Sequence, residues 1–440
     1  LIAGHTLQTT HSNNFAAHEP ALMETSMKKL SKLSVCMAAL VGAVVVGGLP
    51  LAAHAQTKET LTFAAVTFSE AGRGERLKAW VEKFNKSQAT AEIQPIAIPF
   101  GSFAKTVFTQ MGGGAGPDLV RMDAIDYYAA VNGKSILPLD DLLKGGNYKF
   151  TEPDKYMIVG GKRYGVPFEL SNYVLLYNPA LLKGGKPPAN FDEFLASAKA
   201  ATGNGVYGYA YRATMAEGNG FWQDLCNFVY GFGGRWSDAQ GNLTLNDPKV
   251  VEGVAAYKQI YDASVIPKGA DAATYRRMFW ERKVAMEVDN GGVAGIFSQQ
   301  APELAFAAAP SPFPTRAQGM VLTALTINAN TKHKAAAEAF IKWTLQPENQ
   351  KDLQQLLGAS NVATVIERSP EMMAKRPWLK VYDDQAANSV PQLVQGLEVK
   401  TPEIQQIVLE QVLKVLQGGV DPKKAMDDAQ RTALSRVLRK

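Results

Sequence analysis

The chain has 440 residues, 46% hydrophobic and 20% charged, with 38 Gly and 23 Pro. That is too long for one compact core and too apolar for a disordered or collagen-like chain. Its 46 basic and 41 acidic residues leave a formal net charge of +5. They are interleaved with no basic arm or stripe, so nucleic acid is excluded as the expected partner.

The first legible segment in chain order is an export signal. Met27-Lys28-Lys29-Leu30-Ser31-Lys32 is a basic n-region, and an apolar run follows from Leu33 to Ala53, broken by Gly42, Gly47, Gly48 and Pro50. Ala53-His54-Ala55 supplies the small residues that a signal peptidase accepts, which predicts a mature start at Gln56. A membrane-spanning helix is the competing reading, because the run approaches spanning length. The glycines, the proline and the terminal A-x-A favour cleavage. Residues 1–26 resemble no targeting signal and read as an over-called extension ahead of the true start. Cleavage leaves His333 as the only histidine and Cys226 as the only cysteine. One Cys forms no internal disulfide, and one His with one Cys builds no Cys/His zinc site. No metal or cofactor is expected.

Downstream, Thr60–Val66 reads as a buried strand. Leu77, Trp80, Val81 and Phe84 recur at i, i+3, i+4, i+7, one face of a helix. Ile93–Ile98 is a second strand, and Phe103, Val107 and Met111 line a second helix. A glycine-rich stop at 112–116 precedes a short third strand, Pro117–Met122. The stop does not read as a phosphate loop, which needs strand, loop and helix in that order. Alternating strands and helices predict a parallel sheet. Tyr173–Tyr177 is a strong apolar strand, Asn190 opens a helix through Ala200, and Asp247-Pro248 starts another. Val284–Val288 is a further strand. The last third turns helical, with stripes at Phe340, Ile341 and Leu345, then at Ile404, Ile407, Val408, Val412 and Val415. Asp421-Pro422 starts the final helix, with Asp421 as its expected N-cap.

Residues able to carry chemistry are mostly carboxylates: Glu70, Asp123, Asp126, Glu169, Glu217, Asp224 and Asp289. A glycosidase would use two of them, but no catalytic signature unites them. His333, between two lysines at a helix start, reads as solvated rather than as the base of a triad. Tyr127-Tyr128 is the only adjacent tyrosine pair, and its members point to different sides of a helix, against a ferric site. Glu217-Gly218-Asn219-Gly220-Phe221-Trp222-Gln223-Asp224 interleaves aromatic rings with amide and carboxylate groups. That mixture suits a sugar, whose C–H faces stack on a ring while its hydroxyls bond around the edge. Trp222 is equally readable as core.

The mature chain resembles the extracellular solute-binding proteins of sugar ABC importers, of the large two-lobed type that includes the maltose-binding protein. The resemblance rests on ordered blocks: Trp80-x-x-x-Phe84, Gly116-Pro117-Asp118-Leu119-Val120, Tyr164-Gly165-Val166-Pro167-Phe168, Leu176-Tyr177-Asn178, Lys283-Val284-Ala285-Met286, and Ala339-Phe340-Ile341-Lys342-Trp343 before the closing Asp421-Pro422 helix. It implies an α/β fold of two lobes, each a mostly parallel sheet flanked by helices, with a ligand cleft between them. Lobe one would take 57–168 and 316–370, and lobe two 171–312 and 371–440. Position by position it implies ligand contacts at Phe68, Ser69 and Glu70, at Asp123, at Glu169, Ser171 and Tyr173, at Asn219 and Trp222, and at Asp289 and Asn290. Where many relatives have a tryptophan after the Ala-Met strand, this chain has Gly291-Gly292. The resemblance further implies a monomeric periplasmic receptor that hands a carbohydrate or sugar-like solute to a membrane permease without catalysis. A secreted glycoside hydrolase and a receptor for a non-sugar solute such as a polyamine are the alternatives.

Overall fold

The computed structural model describes residues 58–358 and 360–439. The export signal, the upstream extension and the expected start at Gln56 lie outside them. The principal elements are, in order, β1 (Glu59–Ala65), α1 (Arg73–Ser87), β2 (Ala91–Ala97), α2 (Phe100–Gly112), β3 (Leu119–Asp123) and α3 (Ala124–Asn132). Then come β4 (Val166–Tyr177), α4 (Phe191–Ala201), α5 (Gly218–Gly231), α6 (Pro248–Asp262), α7 (Ala272–Trp280), β5 (Met286–Asn290) and α8 (Gly291–Gln300). The chain closes with β6 (Ala307–Ala309), β7 (Gln318–Ile327), α9 (Lys334–Thr344), α10 (Pro347–Leu357), α11 (Leu379–Gln385), β8 (Ser389–Pro391), α12 (Thr401–Gly418) and α13 (Pro422–Arg436).

The strands run in the order β2-β1-β3-β7-β4-β5, with β8 on β7 and β6 on β4. Parallel pairing joins β1 to β2 and β3, as the alternation of strands and helices predicts. The sheet as a whole is mixed, however. β7 lies antiparallel to β3 and β4, and β4 lies antiparallel to β5 and β6. The cause is β7, a return strand, Gln-Gly-Met-Val-Leu-Thr-Ala-Leu-Thr-Ile, that runs against both of its long neighbours. β4 is twelve residues long and wholly buried. Its first half pairs with β7 (Val166 to Asn172) and its second half with β5 (Tyr173 to Tyr177). One strand thus carries the chain from one part of the sheet to the other.

Three cores flank this sheet. Leu77, Trp80, Val81 and Phe84 of α1, the predicted face, meet Phe63 and Phe340. The Trp80 and Trp343 rings lie 4.8 Å apart between centroids. Each fully buried apolar side chain of this size contributes about 1.5–3 kcal/mol. Val174 and Leu176 of β4 pack with Tyr275, Phe279, Val293 and Phe297. The largest core gathers the other face of the sheet with α5, α6, α12 and α13. Cys226 is buried in it, a small hydrophobe whose sulfur accepts from Trp236 Nε1 at 3.2 Å. His333 sits at the start of α9, its Nδ1 2.6 Å from Glu59 Oε1.

Candidate functional site

The carboxyl ends of β1 and β3 deliver their loops to one place. β1 runs into a single 3-10 turn, Val66–Ser69, and α1 begins at Arg73. β3 ends at Asp123, the residue preceding α3. Between them an ion network is buried. The Arg73 guanidinium donates to Glu70 at 2.7 Å and to Glu169 at 2.6 Å. Arg121 donates to Glu169 at 3.2 Å and to Asp123 at 3.0 Å. Ser360 donates a third bond to Glu169, at 2.7 Å. Burial pushes the Glu169 carboxyl upward, but the charges of Arg73 and Arg121 outweigh it and hold the group below its usual range. Glu169 therefore stays ionised and fixes both arginines.

Opposite this wall stand the first two turns of α5. Asn219 Nδ2 donates to Asp126 Oδ1 at 3.2 Å, and Gln223 Nε2 reaches Asp123 Oδ2 at 3.4 Å. Asn219 is held from behind by Gln405 of α12, and Gln223 by the Tyr173 hydroxyl at 3.3 Å. Burial, then the neighbouring charge of Asp123, pushes Asp126 up to about 7, against the Asn219 bond that lowers it. Burial also raises Asp123, opposed by Arg121. Two cavities of about 10 and 20 Å³ lie along this seam, one lined by Phe100, Arg121 and Asp126, the other by Gln223, Met320 and Gln392. Each holds about one water and is too small for a sugar ring.

The segment after β5 approaches the same network. A Cβ added at Gly292 would lie 2.8 Å from Glu169 Oε1 and 2.9 Å from Arg73 Nη1. A side chain at Gly292 would therefore have to displace the ends of Glu169 and Arg73 in the ion network. The Asn290 side chain accepts from Gly292 N–H at 3.0 Å and donates to Asp289 at 2.9 Å.

Several expected contacts take other roles. Phe68 is core, edge-on to Phe63 at 5.3 Å. The platform expected at Trp222 is replaced by a buried ring stacked on Trp236 at 4.6 Å, its Nε1 donating to the Gln392 carbonyl at 2.9 Å. The hydrophobic face of α5 explains this, since residues 221, 222, 225, 226, 228 and 229 all turn into the core. Ser171 Oγ accepts from Gly291 N–H at 2.8 Å and pins the start of α8. Asp289 accepts two bonds from Arg276, at 2.8 and 3.0 Å, and positions that arginine. The exposed Ser69 bonds its own turn, at Val66 O. The hydroxyls of Tyr127 and Tyr128 donate to the carbonyls of Met157 and Tyr156 rather than facing one another. Asp123 and Asn219 lie at the seam, Glu70 pairs with Arg73 in the ion network beside it, and Asn290 bonds Gly292 N–H. Sequence reasoning missed Arg73, Arg121, Gln223, Arg276 and Ser360. Arg121 alone carries a usable signal, an isolated charge inside the apolar strand Leu119-Val120-Arg121-Met122.

The sequence pattern of the family described as bacterial extracellular solute-binding protein matches residues 69–351. Among solved structures, the chain is similar to an ABC transporter solute-binding protein of Thermotoga lettingae bound with α-D-tagatose. The TM-score is 0.75 and the identity 19%, over 86% of this chain and 99% of that one. It is similar to a solute-binding protein of Agrobacterium radiobacter in complex with ribitol, with TM-score 0.74, identity 23%, and 86% and 99% of the two chains covered. A maltose/maltodextrin-binding domain of Bdellovibrio bacteriovorus bound to maltotriose follows at TM-score 0.73 and 21% identity, covering 86% and 100%. The two-lobed fold of these proteins is the fold of this chain.

Proposed function

The chain belongs to the bacterial extracellular solute-binding proteins, and from that premise we propose that it is a receptor that closes on a carbohydrate or polyol and delivers it to an ABC importer permease in the inner membrane. It performs no catalysis; closure around the solute is its output. The protein works as a monomer in the periplasm, exported and cleaved after Ala55. A mature N-terminus at Gln56, read by mass spectrometry, is the expected product. The lobes divide at 168–171, at 312–316 and near 370, so that both are discontinuous.

The observation that carries the reading is the seam where Asp123 and Asp126 meet Gln223 and Asn219. Carboxylates accept from hydroxyls, amides both donate and accept, and Glu169 with two arginines keeps the carboxylate wall rigid. A polyhydroxylated solute, inserted there when the seam opens, exchanges each direct bond for one to its own hydroxyls. Glu70, Asp123, Asp126, Asn219, Gln223 and Asn290 are the proposed contacts. The relatives bound to tagatose, ribitol and maltotriose support the solute class.

Thermal unfolding of the purified protein against sugars, polyols, polyamines and amino acids tests this. A specific solute stabilises the folded state by about 2.7 kcal/mol at one hundred times its Kd. A shift with a carbohydrate or polyol is expected. A shift with a polyamine alone would remove the carbohydrate reading, and turnover of a glycoside would remove the receptor reading.

A further inference from the structure

A cavity of about 250 Å³ lies away from the seam. Helix α5 carries Asn219 in its first turn and Tyr230 in its last, about 16 Å further along the axis, and Tyr230 lines this cavity. Buried Tyr230, Trp236 and Leu393 form its floor, with the half-buried Pro391 beside them. The polar atoms of that floor are already used. The Tyr230 hydroxyl donates to Pro391 O at 3.0 Å, and Trp236 Nε1 donates to Cys226 Sγ. What the floor offers an occupant is apolar surface.

Two half-buried charges of opposite sign line the same cavity without touching each other. Arg235 spends one nitrogen on the Gly234 carbonyl, at 2.7 Å, and its guanidinium lies 5.2 Å from the Tyr230 ring centre. Glu398 accepts from Gly396 N–H at 2.9 Å. Neither makes an ion pair among the described residues, whereas the neighbouring Lys155 is paired with Glu152. A guanidinium has five N–H donors in a fork shaped for a carboxylate. A lone carboxylate in such a wall favours an ammonium. An anion alone would leave Glu398 unbalanced, and a cation alone would leave Arg235 so. A zwitterion satisfies both. The volume falls below the roughly 300 Å³ at which drug-sized sites begin, which limits the occupant to a short branched or single-ring body.

We propose that this cavity is a second ligand site, separate from the seam, that takes a small apolar α-amino acid. Its carboxylate lies at Arg235, its ammonium at Glu398 and its side chain over Trp236 and Leu393.

Isothermal titration of the purified chain with L-leucine, 4-methylpentanoate and 3-methylbutylamine tests the proposal, since the last two lack the ammonium and the carboxylate respectively. L-leucine is expected to saturate one site, at least tenfold more tightly than either analogue. R235Q and E398Q should each weaken L-leucine at least tenfold while the affinity for the carbohydrate or polyol found by thermal unfolding is unchanged. R235K, which keeps the charge but loses the fork, should give an intermediate loss, and circular dichroism confirms that each variant is folded. No saturable heat with L-leucine up to about 10 mM, a millimolar limit worth roughly 3 kcal/mol, would overturn the site. Equal binding of the singly charged analogues, or full affinity in both charge variants, would overturn the assignment of Arg235 and Glu398. Competition between L-leucine and the carbohydrate would place the amino acid at the seam and overturn the second site, leaving the receptor reading intact.

Discussion

At the scale of single residues, Trp222 and Glu287 decide most. The sequence around Trp222 is compatible with a sugar platform and with a core helix, and one sequence does not separate the two. Burial does, because a ring sealed beneath Trp236 and bonded to Gln392 offers a solute nothing. Trp222→Ala is expected to cost about 3–5 kcal/mol of stability and to leave the affinity of the surviving folded protein within twofold. Calorimetric titration beside a denaturant curve reads both, and a tenfold affinity loss with unchanged stability would restore the platform. Glu287, on β5 opposite Leu176, is fully buried, and neither carboxylate oxygen finds a hydrogen-bond partner among the described residues. Burial first, then the charge of Asp289, raises its pKa well above the ordinary value, with Arg276 opposing. The unfolded chain ionises this group near pH 4.3, while the folded chain keeps its proton to higher pH. Stability from this residue is therefore fully present below about pH 4.3 and falls by roughly 1.4 kcal/mol per pH unit above it, until the folded value is reached. Asp126 has the same sign, with its window ending at about 7. Glu287→Gln is expected to be more stable than the parent at pH 7 and indistinguishable from it near pH 4. Urea midpoints at the two values check this, and a Gln variant that is less stable at pH 7 would mean the buried acid is ionised.

At the scale of elements, legibility follows the source of each signal. Local signals survive folding intact. The Leu77, Trp80, Val81 and Phe84 stripe is buried as its spacing predicts. Asp247, Asn190 and Asp421 each accept a backbone N–H at a helix start. Asn190 Oδ1 accepts from Glu193 N–H at 2.9 Å, and Glu193 reaches back to Ala189 N–H at 2.8 Å, a reciprocal cap. Asn190→Ala is expected to cost about 1 kcal/mol, measurable as a lower urea midpoint, while Asn190→Ser should keep most of it. Non-local signals do not survive a linear reading. β7 was not legible as a strand, and its antiparallel pairing with β3 joins residues about two hundred positions apart. The polar-aromatic run at 217–224 is legible as a contact segment, and two of its members, Asn219 and Gln223, do face the seam. Trp222, about 100° round the helix from Gln223, turns off that face into the core. The role of Arg73 was invisible because its pair with Glu169 exists only once two distant segments meet. Arg73 and Glu169 lie 96 residues apart.

At the scale of the whole molecule, the seam has water-sized cavities only, so the proposed receptor needs a second, open arrangement to admit its solute. β4 is shared between the two parts of the sheet. On the proposed lobe division, rotation about it would open the seam without unpairing either part, a hinge closure. The direct bonds Asp126–Asn219 and Asp123–Gln223 favour the shut arrangement and are lost in the open one. Both are long bonds, at 3.2 and 3.4 Å, and Asp126 is partly protonated near neutral pH, so together they bias the equilibrium by about 1–2 kcal/mol. A bias of that size shifts the populations by about one order of magnitude. Asn219→Ala with Gln223→Ala removes both bonds from the α5 side and leaves the carboxylate wall and its arginines untouched. Small-angle scattering of the double variant without solute is expected to give a larger radius of gyration than the parent. Saturating solute should bring the parent to its smallest value and the variant only part of the way, with affinity lowered at least tenfold. Identical scattering from the two proteins, with and without solute, would mean that these side chains do not govern opening and that the seam is a fixed contact.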